Sequence, residues 1–169
     1  LNRSMERSFS QLILAGKRAV VLGAGRSGLA AAGALALRGA RVLLSEAGAL
    51  SQTAKNTLDA WRVAYEEGGH SAAALDGAEL VVPSPGVRWD APALIQARRR
   101  GARVWGELEL GYALCPSRRV VAVTGTNGKS TTTRLVGALL VERGHAVAVG
   151  GNLGTPLCAL LDQITPESW

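Results

Sequence analysis

The chain has 169 residues, of which 47% are hydrophobic and 19% are charged, and its formal net charge is +6. This length is enough for one well-packed core, or for a small domain with part of another. The longest apolar-and-glycine helical run of the chain, 29–37, is too short to span a bilayer. No signal peptide is visible and no face is obviously basic, so we expect a cytoplasmic protein without membrane insertion or nucleic-acid binding, and a polyanionic small ligand instead.

The first predicted elements are a strand at 18–23 and a helix at 27–38. Between them, Gly23, Gly25 and Gly28 form a GxGxxG turn, and Glu46 follows at the end of the next predicted strand, 41–45. This arrangement predicts a Rossmann-like nucleotide site with an acid that contacts a ribose or base. A tight turn without a ligand is the alternative, and the pattern leaves NAD, FAD and a UDP-type ligand open.

The next elements alternate in the same way. Strands are predicted at 62–65, 79–83 and 103–105, and helices at 50–60, 91–100 and 106–114. A helix end, a glycine and a new strand recur at 38–42, 100–104 and 143–147, which indicates βαβ units and a mostly parallel sheet. The arginines at 98–100 are interpreted as a helix C-terminus. The loop at 82–87 leaves a strand at the edge where such sheets bind ligands, although a rigid turn is the alternative.

A second glycine turn lies at 120–133, where an apolar strand precedes Gly125, Gly128, Lys129 and a helix start. Small residues and free N–H groups at a helix N-terminus suit the phosphates of a nucleotide. Lys129 adds a positive charge, and the hydroxyl of Ser130 or Thr131 can bind Mg²⁺. Gly128 follows Gly125 by three positions and not by the usual five, so this is a short variant of the P-loop.

Strands at 119–124 and 146–149 and a helix at 129–143 complete the prediction, with a domain boundary near 116–118. The glycine-rich segment 150–154 follows the last strand and is either a ligand loop or a plain flexible loop. Cys115 and Cys158 match no metal spacing and are expected to be buried and reduced. His70 and His145 are interpreted as loop and turn residues.

Together, Thr124–Thr132 and Gly151–Gly154 resemble the ATP-binding domain of the Mur ligases. The glycine turn, Ser84–Val87 and Gly106–Leu110 are similar to the N-terminal part of one branch of that family. The resemblance implies an α/β fold. A Rossmann-like, parallel-sheet domain that binds the UDP substrate would cover 14–116, and the first βαβ part of a P-loop central domain would cover 117–169.

The resemblance also implies an activity, in which ATP and Mg²⁺ drive the addition of D-glutamate to UDP-N-acetylmuramoyl-L-alanine through an acyl phosphate during peptidoglycan precursor synthesis. Lys129 would be catalytic, and Ser130 and Thr131 would bind the metal. The ATP site would comprise Gly125, Thr126, Asn127, Gly128, Lys129, Ser130 and Thr131. The substrate site would comprise Gly25, Arg26, Ser27, Glu46, Gly86 and Asn152.

The chain also departs from the family pattern. Many members have Asp at the position of Glu46, often with an Arg soon after, whereas Ala47 and Gly48 follow here. Further Mg²⁺-binding and catalytic residues of the family would lie beyond Trp169, so we expect no turnover by this chain alone. The alternatives are a dinucleotide-binding regulatory module whose P-loop only binds phosphate, and a truncated, partly unfolded product. The oligomeric state is left open.

Overall fold

The computed structural model describes residues 13–151 and 154–169. Five parallel strands form one sheet in the order β3-β2-β1-β4-β5. The strands are β1 Arg18–Leu22, β2 Arg41–Ser45, β3 Ala64–Glu66, β4 Leu80–Pro83 and β5 Arg103–Val104. The predicted α/β fold with a parallel sheet is confirmed, and each of these strands lies within two residues of its predicted position.

Strand β1 is the central strand, and it is apolar on both faces. Val21 contributes to a cluster on one face that contains Leu35, while Val20 contributes to the opposite cluster, which contains Leu94. All four of these side chains are fully buried. A parallel strand covered on both faces has this near-continuous apolar sequence, because each successive side chain enters a different half of the core.

The described part of the chain contains five α-helices: α1 Arg26–Leu37, α2 Gln52–Ala60, α3 Pro92–Arg99, α4 Glu107–Leu114 and α5 Lys129–Glu142. All five were predicted, with differences of one or two residues at their ends. Ser51 caps α2 through its hydroxyl, which accepts from the N–H of Ala54 at 3.2 Å. Arg98 and Arg99 lie in the last turn of α3, as the interpretation of the arginine run requires.

The two predicted strands at 119–124 and 146–149 are wrong, because neither segment is a regular strand. A strand needs a neighbour for its N–H and C=O groups, and no ladder in the described residues includes either segment. Two backbone hydrogen bonds join residues 146–148 to Trp169: the Ala148 N–H donates to the carbonyl of Trp169, and the Trp169 N–H donates to the carbonyl of Ala146, both at 2.8 Å. Val120 and Val121 are each 49% exposed.

After α5 the chain packs against the core of the five-stranded sheet. Two short 3-10 turns, Leu157–Ala159 and Leu161–Gln163, add Cys158 and Leu161 to the core cluster that contains α1. The buried carboxylate of Glu107 accepts a hydrogen bond from the N–H of Cys158 at 2.7 Å. The segment 157–163 is therefore held against α4 by packing and by a buried polar contact.

Both cysteines, Cys115 and Cys158, are buried free thiols, as expected. Burial raises the pKa of the Cys158 thiol well above its usual range, and the neighbouring Glu107 adds to the effect. Within 13–151 and 154–169, none of the helices combines the length and apolar character needed to cross a bilayer.

Candidate functional site

An open cleft of about 440 Å³ lies at the carboxyl ends of the central strands. Its walls are the first glycine turn, the residues after β2, a histidine after β3, and the loop after β4. They comprise Gly23, Ala24, Gly25, Arg26, Ser27, Glu46, Ala47, His70, Ser84, Pro85, Gly86 and Val87. The structure thus brings together five residues that the sequence placed in the substrate site: Gly25, Arg26, Ser27, Glu46 and Gly86.

Backbone conformation and close packing within the protein explain two glycines of the turn, Gly23 and Gly28. Gly23 has φ 92°, a region that favours glycine, and its N–H donates to Ser45 at 2.8 Å. A Cβ atom on Gly28 would lie 1.9 Å from the carbonyl oxygen of Gly23. The Ser84 hydroxyl donates to that same oxygen at 3.0 Å. These contacts fix the turn against the loop after β4.

Gly25 and Gly86 have no such internal explanation. A Cβ atom on either residue would meet nothing within 4 Å, and neither residue has a positive φ. Gly25 caps α1 with φ −65° and ψ 175°, a conformation open to any residue. Both residues are exposed in the cleft wall, where the lack of a side chain leaves room for a ligand to approach the backbone. Gly25 also lies at the N-terminus of α1, which suits an anion.

Glu46 closes one side of the glycine turn. Its carboxylate accepts from the N–H of Gly48 at 3.0 Å and from the N–H of Ala24 at 2.6 Å. These two hydrogen bonds lower the pKa of Glu46 below its ordinary value of 4.5. The side chain is therefore an ionised acceptor, with lone pairs left for hydroxyl or N–H donors on a ligand.

His70 belongs to the cleft, although the sequence interpretation made it an ordinary loop residue. Gly68 and Gly69, with φ 82° and 139°, turn the chain back after β3, and the Gly69 N–H donates to the carbonyl of Glu46 at 3.2 Å. One signal could have identified His70: it follows the carboxyl end of a parallel strand, the edge at which ligands bind.

The second glycine turn leads into α5. Gly125 and Gly128 have φ 145° and 75°, and residues 124–132 are exposed. The Lys129 ammonium donates to the carbonyl of Gly125 and, at 3.2 Å, to that of Thr126. Among the described residues, the first backbone hydrogen bond of α5 is from Thr132 to Gly128 at 2.9 Å. The preceding N–H groups therefore remain available to a ligand.

A hydrogen bond joins the first glycine turn to the glycine-rich segment 150–154. The guanidinium of Arg26 donates through Nη1 to the carbonyl of Gly154 at 2.9 Å. Arg26 lies in the cleft wall, and Gly154 ends the glycine-rich segment 150–154. Asn152, which the sequence placed in the substrate site, lies outside the described residues.

A family-level sequence profile described as the N-terminal domain of MurD-like Mur ligases matches residues 17–106. The chain belongs to the Mur ligase family. The matched range contains the whole five-stranded sheet and every residue of the cleft wall, so the Mur ligase assignment rests on the part of the molecule that forms the candidate site.

Individual Mur ligases extend the similarity past this range. The chain is 43% identical over 159 residues to the UDP-N-acetylmuramoylalanine–D-glutamate ligase of Acidobacterium capsulatum, covering 92% of this chain and 34% of that protein. It is 46% identical over 155 residues to the ligase of the same name from Anaeromyxobacter dehalogenans, covering 88% of this chain and 32% of the relative. The chain thus spans about a third of the length of these curated relatives.

Solved Mur ligase structures share the fold. The murein peptide ligase Mpl of Psychrobacter arcticus has a TM-score of 0.55 and 27% identity, covering 78% of this chain and 28% of that one. A pseudomurein peptide ligase of type C from Methanothermus fervidus has a TM-score of 0.56 at 24% identity, covering 86% of this chain and 31% of that one.

Proposed function

We propose that this chain forms the UDP-substrate site and the first part of the ATP site of a ligase that adds D-glutamate to UDP-N-acetylmuramoyl-L-alanine. The observation that carries the proposal is the glycine at position 25, which neither packing nor backbone conformation requires and which lies at a helix N-terminus in the cleft. Backbone N–H groups there are suited to a diphosphate. The name shared by the curated relatives supports this choice of substrate.

Within the cleft, the proposed roles follow from the chemistry of each group. The exposed backbone of Gly25, Arg26 and Ser27 at the start of α1 would bind the diphosphate. Gly86 would let the substrate pass close to the loop after β4. The Glu46 carboxylate would accept hydrogen bonds from the nucleoside. Asn152 is retained as a proposed contact to the sugar-linked part of the substrate.

The residues of the second glycine turn fit ATP and Mg²⁺. Gly125, Thr126, Asn127 and Gly128 would surround the phosphates with backbone N–H groups, and Lys129 would exchange its present carbonyl contacts for phosphate oxygens. Either Ser130 or Thr131, both exposed in the first turn of α5, would supply a hydroxyl ligand to the metal. ATP with bound Mg²⁺ would provide the phosphoryl group that activates the substrate carboxylate for attack by the D-glutamate amine.

We further propose a domain organisation in which residues 14–116 bind the UDP substrate and residues 117–169 begin the ATP-binding domain. The five-stranded sheet and the cleft both lie within the first range. The second range contributes α5 and the segment 157–163, which packs back onto α1 and α4.

Calorimetric titration tests the proposal. The purified 169-residue chain is titrated with UDP-N-acetylmuramoyl-L-alanine and, separately, with NADH. Saturable binding of the UDP-sugar with no response to NADH is expected. The Gly25→Ala variant is the matched test of the site, because its added methyl group would obstruct only a ligand.

Binding of NADH with no response to the UDP-sugar would replace the ligase proposal with a dinucleotide-binding regulatory module. A second titration with ATP and Mg²⁺ tests the P-loop. Lys129→Met is expected to abolish the heat of ATP binding while leaving UDP-sugar binding unchanged. ATP binding that survives Lys129→Met would remove Lys129 from the site.

A further inference from the structure

A buried relay of polar side chains lies beneath the cleft, and the proposed ligase site does not yet include it. The Ser45 hydroxyl is fully buried. Its oxygen lies 2.6 Å from Oε1 of Glu66 and 2.7 Å from Nδ1 of His70. Ser71 also holds Glu66 in place, because its hydroxyl donates to Oε2 at 2.8 Å and its N–H donates to Oε1 at 3.0 Å.

The charge state of Glu66 follows from its contacts. Partial burial raises the pKa of this carboxyl, but hydrogen bonds from the hydroxyls of Ser45 and Ser71 and the N–H of Ser71 outweigh burial and lower it below 4.5. Glu66 is therefore an acceptor without a proton of its own at neutral pH.

Counting protons then fixes the form of His70. A contact of 2.6 Å between Ser45 and an ionised carboxylate needs a proton between the oxygens, and only Ser45 can supply it. The hydroxyl proton is thereby used, so the 2.7 Å contact between Ser45 and His70 needs a proton from Nδ1 of the imidazole. The relay runs from His70 through Ser45 to Glu66. In the neutral ring with its proton on Nδ1, Nε2 is the acceptor.

The position of His70 places that acceptor among ligand-binding groups. His70 is half-buried in the cleft wall together with Glu46, and among the described residues no hydrogen bond to its Nε2 is present. We infer that His70 is a specificity-determining residue of the ligase site, whose Nε2 accepts a hydrogen bond from an O–H or N–H donor on the nucleoside half of the substrate. This inference rests on the proposed function.

The order of the strands indicates which half of the substrate His70 would meet. Along the edge of the sheet, the glycine turn follows β1, Glu46 follows β2 and His70 follows β3, in the spatial order β1-β2-β3. A diphosphate at the N-terminus of α1 therefore directs the nucleoside toward Glu46 and His70. Two acceptors there select a group with hydrogen-bond donors, which a uridine offers as ribose hydroxyls and the base N3–H.

The binding test uses UDP and inorganic pyrophosphate as probes of the 169-residue chain. Asn can occupy the Nδ1 position and keep the contact to Ser45, but it has no group at Nε2. His70→Asn is therefore expected to weaken UDP binding about tenfold, the effect of one lost hydrogen bond, with pyrophosphate binding unchanged. His70→Gln, whose amide reaches the Nε2 position, should recover most of the loss. His145→Asn, the same change at the other histidine, is the matched control and should bind as the parent does.

Two UDP analogues distinguish the donors. If a ribose hydroxyl is the donor, 2′-deoxy-UDP should bind about tenfold more weakly to the parent chain and equally to the parent and His70→Asn. If the base is the donor, 3-methyl-UDP should show that pattern instead. Parallel losses for both analogues, and for 3′-deoxy-UDP as well, in the parent and in His70→Asn would overturn the inference.

The ¹⁵N chemical shifts of the imidazole nitrogens distinguish a ligand-binding role of His70 from a purely structural one. Side-chain ¹⁵N spectra of the two histidines are expected to show His70 protonated at Nδ1, with its Nε2 resonance shifting on addition of UDP but not of pyrophosphate. Protonation at Nε2 in the neutral ring would overturn the inference directly. If the parent binds UDP and His70→Asn binds it equally, the inference fails alone. If the parent binds neither UDP nor the UDP-sugar, the proposed function fails as well.

Discussion

At the scale of single residues, Gly25 and Gly28 occupy the same turn for different reasons. Gly28→Ala would place a methyl group 1.9 Å from the backbone oxygen of Gly23. We expect it to lower the free energy of unfolding by about 3 kcal/mol or more, since a backbone atom cannot move aside as a side chain can. Gly25→Ala meets no atom and should change stability by less than about 1 kcal/mol.

Urea denaturation of both variants, with UDP-sugar titration of the folded ones, separates the two roles. Gly25→Ala is expected to fold normally and to lose binding. A Gly25→Ala variant that binds as well as the parent would show that the cleft wall does not approach a phosphate at this point. A destabilised variant would show instead that the fold itself requires this glycine.

Glu46 gives the stability of the protein a dependence on acid. Its folded-state pKa lies below 4.5 because Gly48 and Ala24 donate to the carboxylate. The stabilisation is complete above the ordinary pKa and is lost as the pH falls through the folded-state value. We expect the free energy of unfolding to decline below about pH 4.5, and Glu46→Gln to decline less steeply.

Urea titrations at a series of pH values from neutral to acid provide the measurement. Glu66 and Glu79 also have lowered pKa values, so part of the decline should persist in the variant. Identical slopes for parent and variant would mean that the two backbone hydrogen bonds to Glu46 are not formed in solution.

At the scale of elements, α1 and α5 contrast in how deeply they are packed. Leu35 of α1 is fully buried, whereas Leu139 of α5 is 66% exposed. Leu35→Ala is expected to lower the free energy of unfolding by about 2–5 kcal/mol through lost burial and the cavity left behind. Leu139→Ala makes the same chemical change on a helix and should shift it by no more than about 0.5 kcal/mol.

Denaturation curves of these two variants report on the packing of each helix. A large effect of Leu139→Ala would indicate that α5 is covered in solution, by this chain or by a second copy. Sedimentation of the parent at several concentrations would distinguish those two cases.

The same contrast explains how far the sequence predicted each element. The five strands of the sheet and all five helices could be located, because apolar runs and glycines at the turns specify them locally. The segment 119–124 has an equally apolar sequence, but a strand also requires a hydrogen-bonded neighbour, and local sequence does not say whether one is present. His70 was interpreted as a plain loop residue for a related reason, since its proposed role depends on contact with Ser45 of β2, which in turn contacts Glu66 of β3.

At the scale of the whole molecule, the segment 157–163 packs the C-terminal part of the described chain against the core of the five-stranded sheet. A Cβ atom on Gly111 of α4 would lie 2.7 Å from Cγ of Leu157. Gly111→Ala is therefore expected to lower the free energy of unfolding by about 1–3 kcal/mol through overpacking. Leu157→Ala removes the opposing atoms, so the double variant should be more stable than the sum of the single effects predicts.

A double-mutant cycle by urea denaturation measures this coupling, with Leu139→Ala in place of Leu157→Ala as a control that should simply add. Additive effects of Gly111→Ala and Leu157→Ala would show that the segment 157–163 does not rest on α4. The hydrogen bond from Arg26 to Gly154 would then lose the packing that keeps its two residues close.

The order of the strands has a consequence for how the protein emerges from the ribosome. Strand β1 lies at the centre of the sheet and is synthesised first, and its second neighbour, β4, appears about 60 residues later. At elongation rates of about 5–20 residues per second, one edge of β1 therefore stays unpaired for roughly 3–12 seconds. A nascent chain arrested before Leu80 would carry that open apolar edge indefinitely and would be a preferred client for chaperones.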